Sequence, residues 1–131
     1  MVIDTSALVA ILFDEPPRPA LARAIEADPV RLVSAATVLE AAMVVESRRG
    51  DAAGRELDIL LHRAQVRTVD VGERHAELAR SVWRRYGKGR HPAGLNYGDC
   101  FSAALALASG EPLLFVGDDF ARTDIPSVAL S

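Results

Sequence analysis

The chain has 131 residues and 14.0 kDa, half hydrophobic and a quarter charged, the composition of one ordinary globular domain spanning 1–131 rather than of a disordered chain. Its 18 acids outweigh 15 bases for a net charge of −3, so no global basic field steers nucleic acid, although a local patch can. The single cysteine, Cys100, excludes an intramolecular disulfide and any Cys-rich metal site.

Short apolar runs alternate with longer helical patterns. That alternation predicts an α/β domain with a largely parallel sheet. Met1–Asp4 reads as a short strand, and Thr5–Phe13 continues as a helix that stops before Pro16 and Pro17. Arg18–Ala27 has Ala20, Leu21, Ala24 and Ile25 at helical spacing, and Arg31–Val33 is a second strand. Ala35–Arg49 is a strongly apolar helix closed by Gly50, and Ala52–Ala64 carries Leu57, Leu60 and Leu61 on one face. Arg67–Val71 is a third strand, and Glu73–Tyr86 an amphipathic helix with Leu78, Val82 and Tyr86 in register. Tyr97–Ser109 is a buried helix ended by Gly110, followed by a strand at Leu113–Val116; Val128–Leu130 reads as a last short strand. The longest charge-free stretch, Cys100–Gly110, falls short of the about 18 apolar residues of a bilayer span. The start, Met-Val-Ile-Asp, has no basic region ahead of an apolar one. A cytoplasmic domain with no membrane contact is expected.

Acids interrupt this pattern at four places. Asp4 closes the first strand ahead of Thr5 and Ser6, Glu40 lies in an otherwise apolar helix, Asp99 opens the buried helix, and Asp118 and Asp119 follow the fourth strand. Each has a local explanation. Asp4 suits an N-cap. Thr37 with Glu40, and Asn96 with Asp99, fit capping boxes. Asp118 and Asp119 suit a turn after Gly117. Two considerations favour a shared site. If the helix containing Glu40 starts near Ser34, directly after the second strand, Glu40 is mid-helix with no Lys or Arg within one turn, and a buried carboxylate needs a partner. The carboxyl ends of parallel strands also share one edge, where ligands of open α/β sheets bind.

Carboxylates gathered in one cleft repel by about 4 kcal/mol per pair at roughly 4 Å and an effective dielectric of 20. Divalent cations remove that conflict, and oxygen ligands without His or Cys select Mg²⁺ or Mn²⁺ over Zn²⁺. Two such ions stabilise the attacking and leaving oxygens of a phosphodiester displacement. Metal-dependent phosphoryl chemistry is therefore expected.

The N-terminal Met-Val-Ile-Asp4-Thr-Ser-Ala-Leu, the lone Glu40 after a short second strand, Leu95-Asn-Tyr-Gly-Asp99-Cys-Phe and Pro112-Leu-Leu-Phe-Val-Gly-Asp-Asp-Phe together resemble the PIN-domain ribonucleases, and among them the VapC toxins of type II toxin–antitoxin modules. The resemblance runs the length of the chain. It implies a PIN-like three-layer domain, a short central and mostly parallel sheet flanked by helices. It also implies an endoribonuclease that uses Mg²⁺ or Mn²⁺ to cut an RNA substrate and is held inactive by a cognate VapB-type antitoxin. By the same resemblance Asp4 and Asp99 are the principal metal ligands, Glu40 is the third acid, and Ser6 is a supporting hydroxyl. Asp118 and Asp119 are both open as the fourth acid, with a slight preference for Asp118.

Other features weigh less. Arg84, Arg85, Lys88, Arg90 and His91 crowd the segment before the helix carrying Asp99. Arg85, Lys88 and Arg90 are candidates for holding RNA phosphates, balanced against a solvated helix end whose bases favour the C-terminal dipole. His62 and His75 suit surface positions, Cys100 a small packed residue, and Trp83 with Tyr86 core or partner contact better than base stacking. The apolar surface of Arg18–Ala27 and Ala35–Ala64 suits a homodimer or an antitoxin helix. Three competing readings are weaker. A receiver-like Mg²⁺-binding module needs paired acids near the first strand and a late lysine, whereas the sole lysine, Lys88, precedes Asp99. A haloacid dehalogenase-type phosphatase needs an aspartate where Ser6 stands. A catalytically inactive PIN-fold module would be expected to lose acids that are present here.

Overall fold

The structure, a computed structural model, describes residues 1–131. Its elements in chain order are β1 (Val2–Ile3), α1 (Thr5–Leu12), α2 (Arg18–Ala27), β2 (Leu32–Ser34), α3 (Ala35–Arg49), α4 (Asp51–Arg63), β3 (Arg67–Val69), α5 (Glu73–Tyr86), α6 (Tyr97–Ser109) and β4 (Leu113–Leu114), followed by a 3₁₀ turn at Phe120–Arg122. The strands form a four-stranded sheet in the order β3-β2-β1-β4, and every pairing is parallel. The chain therefore builds outward from β1 through β2 to β3, then returns to add β4 on the other side of β1. That reversal puts the topological switch point between β1 and β4, at the carboxyl ends of the strands.

Strand alternation divides the core in two. Met1, Ile3, Val33 and Leu114 point to one face and pack with α1, α2, α3 and α4 around Leu8, Leu21, Val45 and Leu57. Val2, Leu113 and Leu32 point to the other, against α5 and α6 at Val82, Tyr86, Leu95 and Leu105. Both faces are covered at the centre of the sheet, so β1 and β4 read as unbroken apolar runs rather than alternating ones. Each fully buried Leu contributes about 1.5–3 kcal/mol by leaving water.

Local chemistry sets the helix ends. Ser34 accepts from the Ala36 amide and starts α3, so Thr37 lies inside the helix and the Thr37–Glu40 capping box does not form. Gly50, at φ 79°, ends α3 and begins α4 in a single residue, a conformation that L side chains resist. The expected strand at Val128–Leu130 is absent. Only one parallel bridge, Leu113 to Ser127, joins the tail to β4, held by the Leu113 amide on the Pro126 carbonyl and the Val128 amide on the Leu113 carbonyl. A ladder over Val128–Leu130 would continue through the Phe115 amide onto the Val128 carbonyl, and no backbone hydrogen bond joins those two residues. No helix is long and apolar enough to cross a membrane.

Candidate active site

At the switch point the strand ends and two helix starts enclose a cleft of about 380 Å³, lined by Asp4, Thr5, Ser6, Glu40, Asn96 and Asp99 among others. Asp4 is 3% exposed and touches no basic side chain. It is held by donors instead. Its Oδ2 accepts from the Ser6 amide at 3.0 Å and the Ser6 hydroxyl at 2.7 Å, and its Oδ1 accepts from the Ser102 hydroxyl at 2.6 Å. Those donors are themselves positioned. Ser6 Oγ accepts from the Val116 amide just beyond β4 at 3.0 Å, and Ser102 Oγ lies 3.1 Å from Thr37 Oγ1. Asp4 thus caps α1 and faces the cleft at once, because one carboxylate oxygen suffices for the cap.

The same economy holds at Asp99. Asn96 Oδ1 accepts from the Asp99 amide and Asp99 Oδ2 accepts from the Asn96 amide, each at 2.9 Å, which completes the capping box of α6. Its other oxygen makes no protein hydrogen bond. Burial pushes the Asp99 carboxyl up to about 6; the Asn96 amide opposes that rise, and the negative charges of Asp4, Asp119 and Glu40 add to it. Of the neighbouring pair Asp118 and Asp119, Asp119 is among the acids whose charge raises Asp99. Both are exposed in the loop after β4.

Glu40 finds its partner across the cleft in the Thr5 hydroxyl, which donates to Oε1 at 2.5 Å. Its other oxygen lies against Gly98, where an added Cβ would stand 1.9 Å from Oε2. Gly98 is therefore the space that Glu40 occupies. Val44 and Arg48 follow Glu40 at one-turn intervals along α3 and line the same cleft, as does Glu15. Of the basic candidates, Lys88 lines a cavity beside Trp83 and Arg90 stacks on Trp83 at 4.7 Å. Arg85 pairs with Asp124 at 2.9 Å instead.

Sequence reasoning passed over Thr5, Gly98, Ser102 and Arg48. Each left a trace. Ser102 is the one hydroxyl in the apolar run Cys100–Ala108, one turn beyond Asp99. Gly98 occupies a first-turn helix position where almost any residue is a better helix former. Arg48 sits two turns after Glu40. Ser102→Ala removes a buried donor from Asp4 and is expected to destabilise the fold by about 1–3 kcal/mol, read from the urea midpoint at constant slope.

Acids that repel one another with no basic side chain paired to any of them fit a divalent cation, and the all-oxygen donor set fits Mg²⁺ or Mn²⁺. The side chains are near enough to shift Asp99, yet no three of them already converge as a closed ligand set.

A family model, the PIN domain, matches residues 1–126, and Ribonuclease VapC30 of Mycobacterium tuberculosis is 60% identical over 130 residues, 99% of each chain. The chain belongs to the PIN-domain family, among the VapC ribonucleases. Solved structures carry the same fold. Mycobacterium tuberculosis VapC20, a sarcin–ricin loop cleaving toxin, superposes with a TM-score of 0.79 at 20% identity, covering 97% of both chains. VapBC-1 from nontypeable Haemophilus influenzae gives 0.73 at 18% identity, covering 97% of this chain and 95% of that one. The PIN fold accounts for the topology described above, in which β1 and β4 lie side by side and deliver Asp4 and the Asp118–Asp119 loop to one edge.

Proposed function

We propose that this PIN domain is a Mg²⁺- or Mn²⁺-dependent endoribonuclease, the toxin of a VapBC-type pair, hydrolysing RNA phosphodiester bonds at Asp4, Glu40, Asp99 and one acid of the Asp118–Asp119 loop. The observation that carries the reading is that Asp4, Glu40 and Asp99 line one cleft, where the charges of Asp4 and Glu40 add to the burial that raises Asp99. An active site that must hold cations keeps such repulsion, whereas a purely structural capping residue has no need of it. The fourth acid is Asp118 or Asp119, and the charge of Asp119 reaches Asp99.

Bound cations would supply an activated water and charge neutralisation at the leaving oxygen. The chain's own residues do the rest. Asp4 and Asp99 present carboxylate oxygens held in fixed rotamers by Ser6, Ser102 and the α6 capping box. Thr5 fixes the Glu40 carboxylate toward the same cleft. Arg48, the one base lining it, is placed to hold a phosphate of the RNA. Leu39 and Met43, one turn apart on α3 and 63% and 61% exposed, flank Glu40 with an apolar strip. That strip suits an antitoxin segment that covers the acids. A homodimer is part of the same reading.

The test is cleavage of total bacterial RNA by the purified protein, with Mn²⁺ or Mg²⁺, with chelator, and beside Asp4→Asn. Discrete fragments that disappear with chelator and with the variant are expected. A folded, metal-binding protein that leaves all RNA intact would favour a non-catalytic binding module.

A further inference from the structure

Between α5 and α6 lies a second cavity of about 560 Å³, walled by Trp83 and Tyr97 and floored by Ala79 and Cys100. Small side chains at the floor leave room for a flat ring. The aromatic walls stay open to solvent, Trp83 being 45% and Tyr97 82% exposed, although large apolar side chains are usually covered. Both rings are held in place. The Trp83 indole lies on Gly87, where a Cβ would fall 2.5 Å from Cδ1, and the Arg90 guanidinium stacks on it. Tyr97 meets Phe101 edge-on at 4.9 Å.

Two further facts decide what fills this space. Arg80 and Lys88 are the only charged residues lining it, and no acid does. A second copy seated face to face would bring those cations together, whereas a strand of phosphates would neutralise them. Asn96 lines both this cavity and the acidic cleft, so the two are adjoining. We propose that the α5–α6 cavity is a nucleobase subsite, in which one unpaired base of the RNA stacks on Trp83 and Tyr97 while Arg80 and Lys88 hold its flanking phosphates. Single-stranded RNA is read by splaying bases onto aromatic side chains in this way. The proposal rests on the nuclease reading and extends it from where the chain is cut to how the strand is gripped.

Trp83 is the only tryptophan of the chain, so its emission reports on the cavity directly. In chelator, a short single-stranded oligonucleotide with 2′-O-methyl riboses is expected to quench that emission, and an abasic strand of equal length and charge is not. Tyr97→Ala, at an exposed position, is expected to weaken oligonucleotide binding about five- to hundredfold without changing its salt slope. With Mn²⁺ it is expected to raise KM for RNA and spare kcat. Unquenched emission together with equal affinity in Tyr97→Ala would overturn the subsite. So would emission that tracks protein concentration through a self-association that Tyr97→Ala abolishes, since the cavity would then be a protein interface. In either case wild-type cleavage of total RNA leaves the nuclease reading standing. A wild type that neither binds nor cleaves RNA removes both.

Discussion

Asp99→Asn is expected to stabilise the metal-free protein while abolishing metal binding and RNA cleavage. Asparagine keeps the one oxygen that accepts from the Asn96 amide, so the α6 capping box survives. What disappears is the charge. Asp99 is raised in the folded protein to about 6 from 3.8, so between those values the unfolded chain has released a proton that the folded chain still holds. Stability therefore falls as pH rises through that window, and the loss is complete above it. A shift of that size corresponds to about 3 kcal/mol, which solvent screening of a partly exposed group reduces to about 1–2 kcal/mol. Thermal unfolding in chelator at pH 5 and pH 7.5 checks this. The wild type should lose the Asp99 contribution at the higher pH and the variant should not. Mn²⁺ should raise the wild-type midpoint at pH 7.5 and leave the variant unmoved. A variant less stable than wild type at pH 7.5 would make Asp99 a structural cap whose ionisation costs nothing.

Gly98→Ala is expected to cost activity out of proportion to its size. The new methyl falls on the Glu40 carboxylate, the far end of a flexible side chain, so Glu40 swings away rather than α6 shifting. In exchange α6 gains up to about 1 kcal/mol of helix propensity in its first turn. Stability should therefore hold within about 1 kcal/mol, while displacement of a catalytic carboxylate by an ångström or more lowers kcat by about 100-fold. The double variant Gly98→Ala, Glu40→Ala separates the causes. If the single substitution acts through Glu40, adding Glu40→Ala should lower activity little further, a non-additivity diagnostic of a shared site. Independent, multiplicative losses in kcat would mean that Gly98 serves the helix start and Glu40 something else.

The sequence by itself determined the order and kind of nearly every element and the family, and it singled out Asp4, Glu40 and Asp99, which the structure brings to one cleft. It did so because apolar periodicity, helix caps and strand-terminal acids are local patterns that need no knowledge of distant partners. Even the apparent conflict between capping and function at Asp4 and Asp99 was legible in part, since a carboxylate has two oxygens and can serve both. The tertiary structure alone decided what depends on residues far apart in the chain. Ser102 reaches Asp4 across 98 positions and Thr5 reaches Glu40 across 35, and no local pattern names the partner of either hydroxyl. Gly98 looks like an ordinary weak helix position until α3 brings Glu40 against it. The apolar residues of the tail suggest a strand, but it meets β4 in a single bridge because Phe115 and Val128 form no backbone hydrogen bond. Trp83 and Tyr86, read as one pair, separate in space: Tyr86 goes into the core beside Leu95, and Trp83 stays at the rim. A helix face can be inferred from spacing, but which part of that face is covered depends on what the rest of the chain packs against it.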